Sequence, residues 1–320
     1  MGAKEFIMNV PVPACGLSLG LASLDRFLRY DHGDVYVFSI FALLSFIIAS
    51  LFTIRIFIDS KGIIRDIQTP AVFGVLPTYT MTIMLLSAFV KDHSGGIAGD
   101  MAFMLWASAL TASFVIMFFF IKTVLRSGFS MDKVFPSWVI IFVGYVVASV
   151  TSSSFGMEEL GRMIFWAGFT GYLLVFPLIA YRTLVFRQYP GHLVPTIAIF
   201  AAPVNLCIVG CLTVYDDISG ITWAALSLLT VMGAVSYAAV VAYLPVMLNR
   251  KFHPSFSSMT FPLVISAVSI HELGEFHGIS SNAAFGIVQT ASVLLAVLIT
   301  VYVFVRYAYF FYGTARSVRD

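Results

Sequence analysis

A run of fifteen residues without a charge, FSIFALLSFIIASLF, occupies positions 38–52. A second apolar run, FVIMFFFI, occupies positions 114–121. Neither run places polar residues at every second position, as the strands of a membrane β-barrel do. Because a hydrocarbon core of about 30 Å takes roughly 20 residues per helical crossing, such runs predict membrane-spanning α-helices. The predicted fold class is therefore all-α integral membrane.

The composition of the whole chain agrees with these runs. Of its 320 residues, 60% are hydrophobic, 15% are aromatic and 11% are charged, and the mean hydropathy is +0.96. Soluble domains are about one quarter charged. A water-soluble enzyme is excluded, and we expect a single transmembrane domain over residues 1–320. The net charge of +2 and the absence of a basic run longer than Arg250-Lys251 exclude nucleic acid as a partner.

Polar residues divide the chain into ten apolar segments, each long enough to span a bilayer as a helix. The segments cover residues 10–29, 35–58, 69–90, 99–122, 135–156, 161–186, 193–214, 220–247, 255–275 and 281–310. The first and ninth are the least apolar, because charged side chains such as Arg29 and Glu272 lie in their final turns. The sequence thus predicts ten transmembrane helices.

The distribution of basic residues predicts the orientation. If the N-terminus, the even-numbered loops and the C-terminal tail share one side, here named the basic end, that side has 14 of the 18 basic residues. They are Lys4, Arg55, Lys61, Arg65, Lys122, Arg126, Lys133, Arg182, Arg187, Arg250, Lys251, Arg306, Arg316 and Arg319. The opposite side, the acidic end, has most of the acidic loop residues. By the positive-inside rule, both termini are expected in the cytoplasm.

Prolines recur in the odd-numbered segments near the basic end. Pro70 and Pro136 are 66 residues apart, whereas 59 residues separate Pro136 from Pro195 and also Pro203 from Pro262. A repeat of about this length predicts five helical hairpins. A proline in a membrane helix frees a backbone carbonyl that needs another partner. The odd helices therefore suit an inner ring around a wet central pore, although membrane helices are generally rich in proline.

The odd segments also contain most of the polar side chains, and these define the predicted pore lining. The candidates are Pro13, Ser18, Pro77, Thr78, Pro136, Ser149, Thr151, Pro203, Asn205, Thr260 and Pro262. Hydroxyl groups donate hydrogen bonds to an anion without binding it too tightly for conduction. The alternative role for each Ser or Thr is a helix contact. No Lys, Arg, Asp or Glu lies in the middle of a segment, which disfavours a proton-coupled pump.

A cluster of titratable residues follows the ninth segment, and its role is left open. It consists of His271, Glu272, Glu275 and His277. Its spacing matches no known zinc motif, so we expect a hydrated outer mouth and no metal site. No nucleotide-binding or hydrolase motif occurs in the chain, and neither a cofactor nor an enzymatic activity is expected.

The motifs of the odd segments, taken in order, resemble a known family. They are Val12-Pro13-Ala14-Cys15-Gly16, Leu19-Gly20-Leu21-Ala22-Ser23-Leu24, Phe135-Pro136-Ser137, Thr151-Ser152, Ala202-Pro203 and Thr260-Phe261-Pro262-Leu263. They are similar to those of the tellurite-resistance/dicarboxylate transporter family, which includes the bacterial protein TehA and the plant guard-cell slow anion channels. The resemblance covers nearly the whole chain.

The resemblance implies a homotrimer in a bacterial cytoplasmic membrane, in which each subunit has its own pore. It implies a quasi-fivefold arrangement of hairpins around that pore and a gate formed by Phe261. Separately from the family, Pro262 is expected to disturb the backbone of Phe261 and to turn its ring toward the pore.

Two functions remain open from the sequence. The first is a channel for small monovalent anions such as chloride and nitrate. The second is a secondary transporter of the same fold that exports a C4-dicarboxylate such as malate, or sulfite or tellurite. The absence of a mid-membrane Arg or Lys to pair with a dicarboxylate favours the channel.

Overall fold

A computed structural model describes residues 3–32, 35–186 and 189–317, and within these ranges the chain is helical and contains no strand. The α-helices are α1 (Ala3–Met8), α2 (Ala14–His32), α3 (Val35–Ile58), α4 (Ser60–Asp66), α5 (Pro70–Phe73), α6 (Pro77–His93), α7 (Gly96–Ser127), α8 (Trp138–Val143), α9 (Val147–Thr151), α10 (Glu158–Tyr181), α11 (Ala202–Val214), α12 (Gly220–Leu248), α13 (Thr260–Phe276) and α14 (Ala283–Ser317). Segments of 3-10 helix lie at Met131–Lys133, Gly144–Val146, Ser152–Phe155, Gly191–Ala201 and Pro254–Met259, and Arg182–Phe186 forms a π-helical turn. The prediction of an all-α membrane protein is confirmed.

Nine helical spans in the described ranges are long and apolar enough to cross a membrane. They are Ile40–Ile58, Pro70–His93, Gly96–Arg126, Trp138–Phe155, Glu158–Val185, Gly191–Val214, Gly220–Leu248, Pro254–Phe276 and Ala283–Thr314. The first predicted segment forms α2, a helix of 19 residues whose second half contains Asp25, Arg26 and Arg29. The total of ten crossings stays a prediction.

The spans fall into two classes by burial. Over an apolar stretch of 18 residues within each span, between 67 and 78% of the residues are buried in the spans 70–93, 138–155, 191–214 and 254–276. Only 28 to 33% are buried in the other five spans. We name the four buried spans together with α2 the inner segments, and α3, α7, α10, α12 and α14 the outer helices. The inner segments are the odd-numbered segments of the sequence, and the outer helices are the even-numbered ones.

Each inner segment packs on the outer helix that follows it in the chain. The pairs are α2 with α3, α6 with α7, α8 and α9 with α10, α11 with α12, and α13 with α14. The inner segments also contact one another in a closed cycle, in which α2 contacts α6, α6 contacts α9, α9 contacts α11, α11 contacts α13 and α13 contacts α2. Five consecutive hairpins therefore enclose a common centre. Rotational symmetry among the hairpins stays a prediction.

Four of the inner segments are interrupted, and prolines explain most of the interruptions. Pro77 is the first residue of α6, Pro203 the second residue of α11 and Pro262 the third residue of α13. In the first turn of a helix the missing N–H of proline has no intrahelical acceptor to lose. Each of these helices therefore has a proline among its first three residues and follows a turn or a 3-10 segment. By contrast, Pro177 and Pro245 lie inside α10 and α12, which remain helical.

A glycine lets the first inner segment approach the last one closely. A Cβ atom at Gly20 of α2 would meet the side chain of Thr260 and would lie 3.1 Å from the backbone nitrogen of Phe261. The hydroxyl of Thr260 donates to the carbonyl of Gly16 at 3.0 Å. This close contact between α2 and the start of α13 determines where the Phe261 ring lies.

Candidate functional site

A first cavity lies between the halves of the inner segments that are nearer the basic end. Its empty volume is about 480 Å³. All five inner segments contribute to its wall, for example with Leu19, Thr78, Val143, Pro203 and Ser258. The wall is apolar except for a few hydroxyl groups, so the first cavity contains no fixed charge among the described residues.

A second cavity lies between the halves that are nearer the acidic end, with an empty volume of about 1020 Å³. The same five segments line it, for example with Ser23, Leu85, Ser153, Thr213 and Glu272. The second cavity is wider and more polar than the first. The two cavities follow one another along the centre of the inner segments.

Phe261 lies between the two cavities. It belongs to the wall of the first cavity and to the wall of the second, as does Leu206 of α11. The Phe261 side chain is largely buried, since the residue is 6% exposed. An aromatic ring and a leucine side chain therefore form an apolar partition in the middle of the bundle.

The backbone at Phe261 differs from the expectation. Phe261 is the second residue of α13 and is helical, so Pro262 does not distort the residue before it. The interruption lies upstream, in the 3-10 segment Pro254–Met259. Because Pro262 lies in the first turn of α13, its missing N–H removes no hydrogen bond from within that helix. The position of the Phe261 ring results from helix packing and not from a local break.

Five of the predicted pore-lining polar residues bond neighbouring backbone or side chains, and none of them belongs to the described wall of either cavity. They are Ser18, Ser149, Thr151, Asn205 and Thr260. The Ser18 hydroxyl, for instance, donates to the carbonyl of Ser45 in α3 at 2.8 Å. Asn205 donates to the hydroxyl of Ser266 at 3.0 Å. These side chains connect helices, and their role in the pore stays a prediction.

Three other predicted lining residues do face the first cavity, namely Thr78, Pro203 and Pro262. The hydroxyl hydrogen of Thr78 is already donated to the carbonyl of Val75 at 2.7 Å. The remaining prolines, Pro13, Pro77 and Pro136, belong to neither of the two cavity walls in the described chain.

Three serines outside the predicted pore-lining set also face the cavities. Ser258 lines the first cavity, and Ser23 and Ser153 line the second. In the described part of the chain their hydroxyls make no hydrogen bond to protein, so these hydroxyls can donate into the cavities. These serines differ from the serines that bond backbone only in the rotation of their helix about its axis, which decides whether a side chain faces the cavity. No sequence pattern predicts this rotation.

Comparison with known proteins agrees with this architecture. A sequence model of a family described as voltage-dependent anion channel, SLAC1, matches residues 9–308. The chain belongs to this anion channel family. The match includes all five inner segments and confirms the resemblance drawn from the motifs of the odd segments.

A plant member of the family provides a second comparison. The guard cell S-type anion channel SLAC1 of Arabidopsis thaliana is 25% identical to this chain over 140 residues. The aligned region covers 44% of this chain and 24% of the plant protein. The likeness therefore extends over less than half of the present chain.

In this member of the family two charged side chains line the second cavity, and of these only Glu272 was expected near an outer mouth. Among the described residues of the two cavity walls, Arg26 and Glu272 are the charged ones. A guanidinium nitrogen of Arg26 lies 3.6 Å from a carboxylate oxygen of Asp92. Arg26 lies in the final turns of the predicted segment 10–29, and α2 extends beyond it to His32.

The cluster at 271–277 is divided between different environments. The ring of His271 lies 2.7 Å from the side-chain amide of Gln289 in α14. Glu272 lines the second cavity, whereas Glu275 and His277 are exposed. The structure groups no three metal-ligating side chains within the described residues. The cluster thus contributes one carboxylate to the wider cavity.

Proposed function

We propose that this member of the anion channel family is a passive channel for small monovalent anions such as chloride and nitrate. The permeation path runs through the first cavity, past Phe261, and through the second cavity. The observation that carries the proposal is that Phe261 belongs to both cavity walls. A benzyl group at this point blocks a narrow pore by its volume and by excluding water.

The helix ends around the first cavity support selectivity for anions. Thr78, Pro203 and Pro262 line this cavity and lie in the first turns of α6, α11 and α13. The N-terminus of a helix has the positive end of the helix dipole. Three such ends around an uncharged cavity favour a negative ion without binding it as strongly as a Lys or Arg would.

The serine hydroxyls supply direct ligands along the path. Ser258 would donate to an anion on the basic side of Phe261, and Ser23 and Ser153 would donate on the acidic side. Neutral donors replace part of the hydration shell at a modest energy, which allows the ion to leave. We therefore expect weakly hydrated anions to pass most easily, with iodide or nitrate ahead of chloride.

The alternative is a transporter for a dicarboxylate, sulfite or tellurite, and Arg26 is the observation that favours it. Arg26 supplies a cation in the second cavity, which the sequence argument had taken to be absent. However, Glu272 lines the same cavity, so the formal charges of this pair sum to zero. A doubly charged substrate would find no net positive charge there, and the channel remains the better-supported function.

Reconstitution into planar bilayers tests the proposal. With a chloride gradient across the bilayer, the reversal potential should approach the equilibrium potential of chloride, and replacing chloride by nitrate should shift it toward nitrate selectivity. Equal permeability of potassium and chloride would contradict anion selectivity. Small currents together with saturable uptake of labelled malate would identify the transporter.

We further infer a single channel domain, both termini in the cytoplasm of a bacterium, and a homotrimer with one pore in each subunit. The excess of basic residues at one end supports the orientation. The closed cycle of inner segments within one chain supports one pore per subunit.

A further inference from the structure

A groove on the outer surface is distinct from the two central cavities. It lies between α10 and α12, above the 3-10 segment Gly191–Ala201, and has an empty volume of about 1570 Å³. Both outer helices pack on α11, and α12 also packs on the 3-10 segment. We name this feature the outer groove. Its volume is larger than that of either central cavity.

The floor and sides of the outer groove are apolar, apart from Ser236, over the depth of one membrane leaflet. Phe176, Ile197, Phe200 and Val235 contribute to them. From Val235 to Tyr243 helix α12 rises roughly 12 Å, at about 1.5 Å per residue. One half of a hydrocarbon core measures about 15 Å. The apolar part of the groove therefore has the length of an acyl chain within one leaflet.

The mouth of the outer groove is polar and cationic. Arg250, just beyond the end of α12, contributes to its wall together with Thr183 and Tyr189. The hydroxyls of Thr183 and Tyr189 lie 2.8 Å apart. Within the part of the chain that the structure describes, no carboxylate pairs with Arg250, and the described wall of the groove contains no Asp or Glu.

We propose that the outer groove is a binding site for an anionic phospholipid of the leaflet at the basic end. One acyl chain lies along the apolar floor, and the phosphate is bound by Arg250 at the mouth. The charge of Arg250 complements an anionic headgroup, and guanidinium nitrogens match phosphate oxygens in geometry. Because a groove within a bilayer borders on lipid chains, only the headgroup distinguishes a specific site from ordinary contact with lipid.

Native mass spectrometry of the purified protein tests this site. The probes are phosphatidylglycerol and phosphatidylcholine with the same acyl chains, added separately at equal concentrations. We expect the protein to retain phosphatidylglycerol about fivefold more than phosphatidylcholine, the preference that one basic residue near a membrane surface provides. Arg250→Gln should abolish this preference. The control is Arg126→Gln, which alters an exposed arginine of α7 at the basic end of the protein. This variant should keep the preference for phosphatidylglycerol.

A pair of alanines on α12 tests the location of the acyl chain. Ala239 lines the outer groove, whereas the adjacent Ala238 is exposed and does not belong to its wall. Ala239→Trp should fill the groove and reduce retention of both lipids, and Ala238→Trp should not. Inorganic phosphate in millimolar excess should fail to displace the lipid, because it has no acyl chain.

Several outcomes would overturn the proposal. These are equal retention of the two lipids by the wild type, an unchanged preference in Arg250→Gln, and displacement by inorganic phosphate. A fourth outcome is that Ala239→Trp dissociates the oligomer but leaves lipid retention unchanged. That result would show that the groove of the wild type binds a second copy of the chain and not a lipid. None of these measurements depends on channel activity.

Discussion

The inner segments and the outer helices of this protein both consist largely of apolar residues but differ in regularity. The outer helices are continuous over 24 to 35 residues and expose large apolar side chains such as Phe57, Leu174 and Leu298. Four of the inner segments are interrupted, and most of their residues are buried. The irregular backbone is thus kept away from lipid.

This difference follows from where backbone groups find partners. A carbonyl freed by a break has no partner in hydrocarbon, so a lipid-facing helix has to remain continuous. In the interior, a freed carbonyl can accept from a hydroxyl of the protein, as the carbonyl of Ala71, at the interruption before α6, does from Ser137 at 2.9 Å. In the proposed channel, the N-termini of α6, α11 and α13 at these interruptions favour an anion in the first cavity.

The largest expected effect is on anion conductance, which should change when a phenylalanine of an inner segment is truncated but not when one of an outer helix is. Phe261→Ala should raise anion conductance by roughly tenfold or more, since a barrier lowered by about 1.4 kcal/mol gives a factor of ten in rate. Phe261→Leu should have a smaller effect and Phe261→Tyr the smallest, because the block depends on side-chain volume and apolarity. Single-channel recording measures these changes.

The matched control is Phe119→Ala on the outer helix α7, where the side chain is exposed. Its conductance should equal that of the wild type. If Phe261→Ala assembles normally and also conducts like the wild type, Phe261 is not the gate.

The next largest effect is a loss of stability when a close contact between two inner segments is disturbed. Gly20→Ala should lower the free energy of unfolding by about 1–3 kcal/mol, because the added methyl group would meet the side chain of Thr260 and the backbone of Phe261. Gly286→Ala on the outer helix α14 meets open space and should be neutral or slightly stabilising. The midpoint of thermal unfolding in detergent measures both. Equal midpoints for the two variants would show that close packing is not specific to the inner segments.

A smaller effect concerns the charge in the second cavity. Arg26→Gln should lower anion conductance roughly threefold at low ionic strength, because the cavity then keeps the Glu272 carboxylate without its compensating cation and repels anions. At about 1 M salt the Debye length falls to about 3 Å and the difference should vanish. Arg162→Gln, on the outer helix α10 at the same end, is the control. A threefold loss that persists at high salt would indicate a direct binding role for Arg26.

The smallest effect is a pH dependence at the entrance to the last inner segment. Burial lowers the pKa of His253 below its ordinary value of 6.5, and the ring of His192, whose centroid is 4.8 Å away, lowers this pKa further. The unfolded chain therefore takes up this proton at a higher pH than the folded protein. The stability contributed by neutral His253 is present above pH 6.5 and is lost as the pH falls through the folded pKa.

Thermal unfolding between pH 7.5 and pH 5 measures this contribution. In the wild type, the unfolding midpoint should fall as the pH is lowered from 7.5 to 5. In His253→Gln this fall should be smaller, by a few degrees at most. His277→Gln, at the other end of the last inner segment, should retain the wild-type profile. Identical profiles for wild type and His253→Gln would contradict the assignment.

Much of the fold was predictable because it depends on local properties of the chain. The uncharged run at 38–52 predicts a helix that faces lipid, and the recurring prolines predict interruptions in every second segment. Both predictions require only the cost of charges and unpaired backbone groups in hydrocarbon. The motifs around Pro13, Pro136 and Phe261 were sufficient to recognise the family.

The lining of the pore was less predictable, because it depends on helix rotation. Ser257 and Ser258 are adjacent and both line the first cavity, yet Ser257 donates to the carbonyl of Pro254 and Ser258 bonds no described protein group. Ser149 and Ser153 are one turn apart, but only Ser153 lines a cavity. Serine hydroxyls that are close in sequence therefore differ in whether they bond the backbone or face a cavity.

The sequence by itself determined the helical membrane fold, the alternation of inner and outer helices and the family, because hydropathy, proline and glycine act on their own stretch of chain. Tertiary structure alone decided that the Phe261 ring lies between two cavities, that Arg26 faces one of them, and that Ser18 and Thr260 bond backbone. These outcomes depend on the distance and rotation of five helices relative to one another. Such geometry is determined by the packing of side chains that are far apart in the sequence.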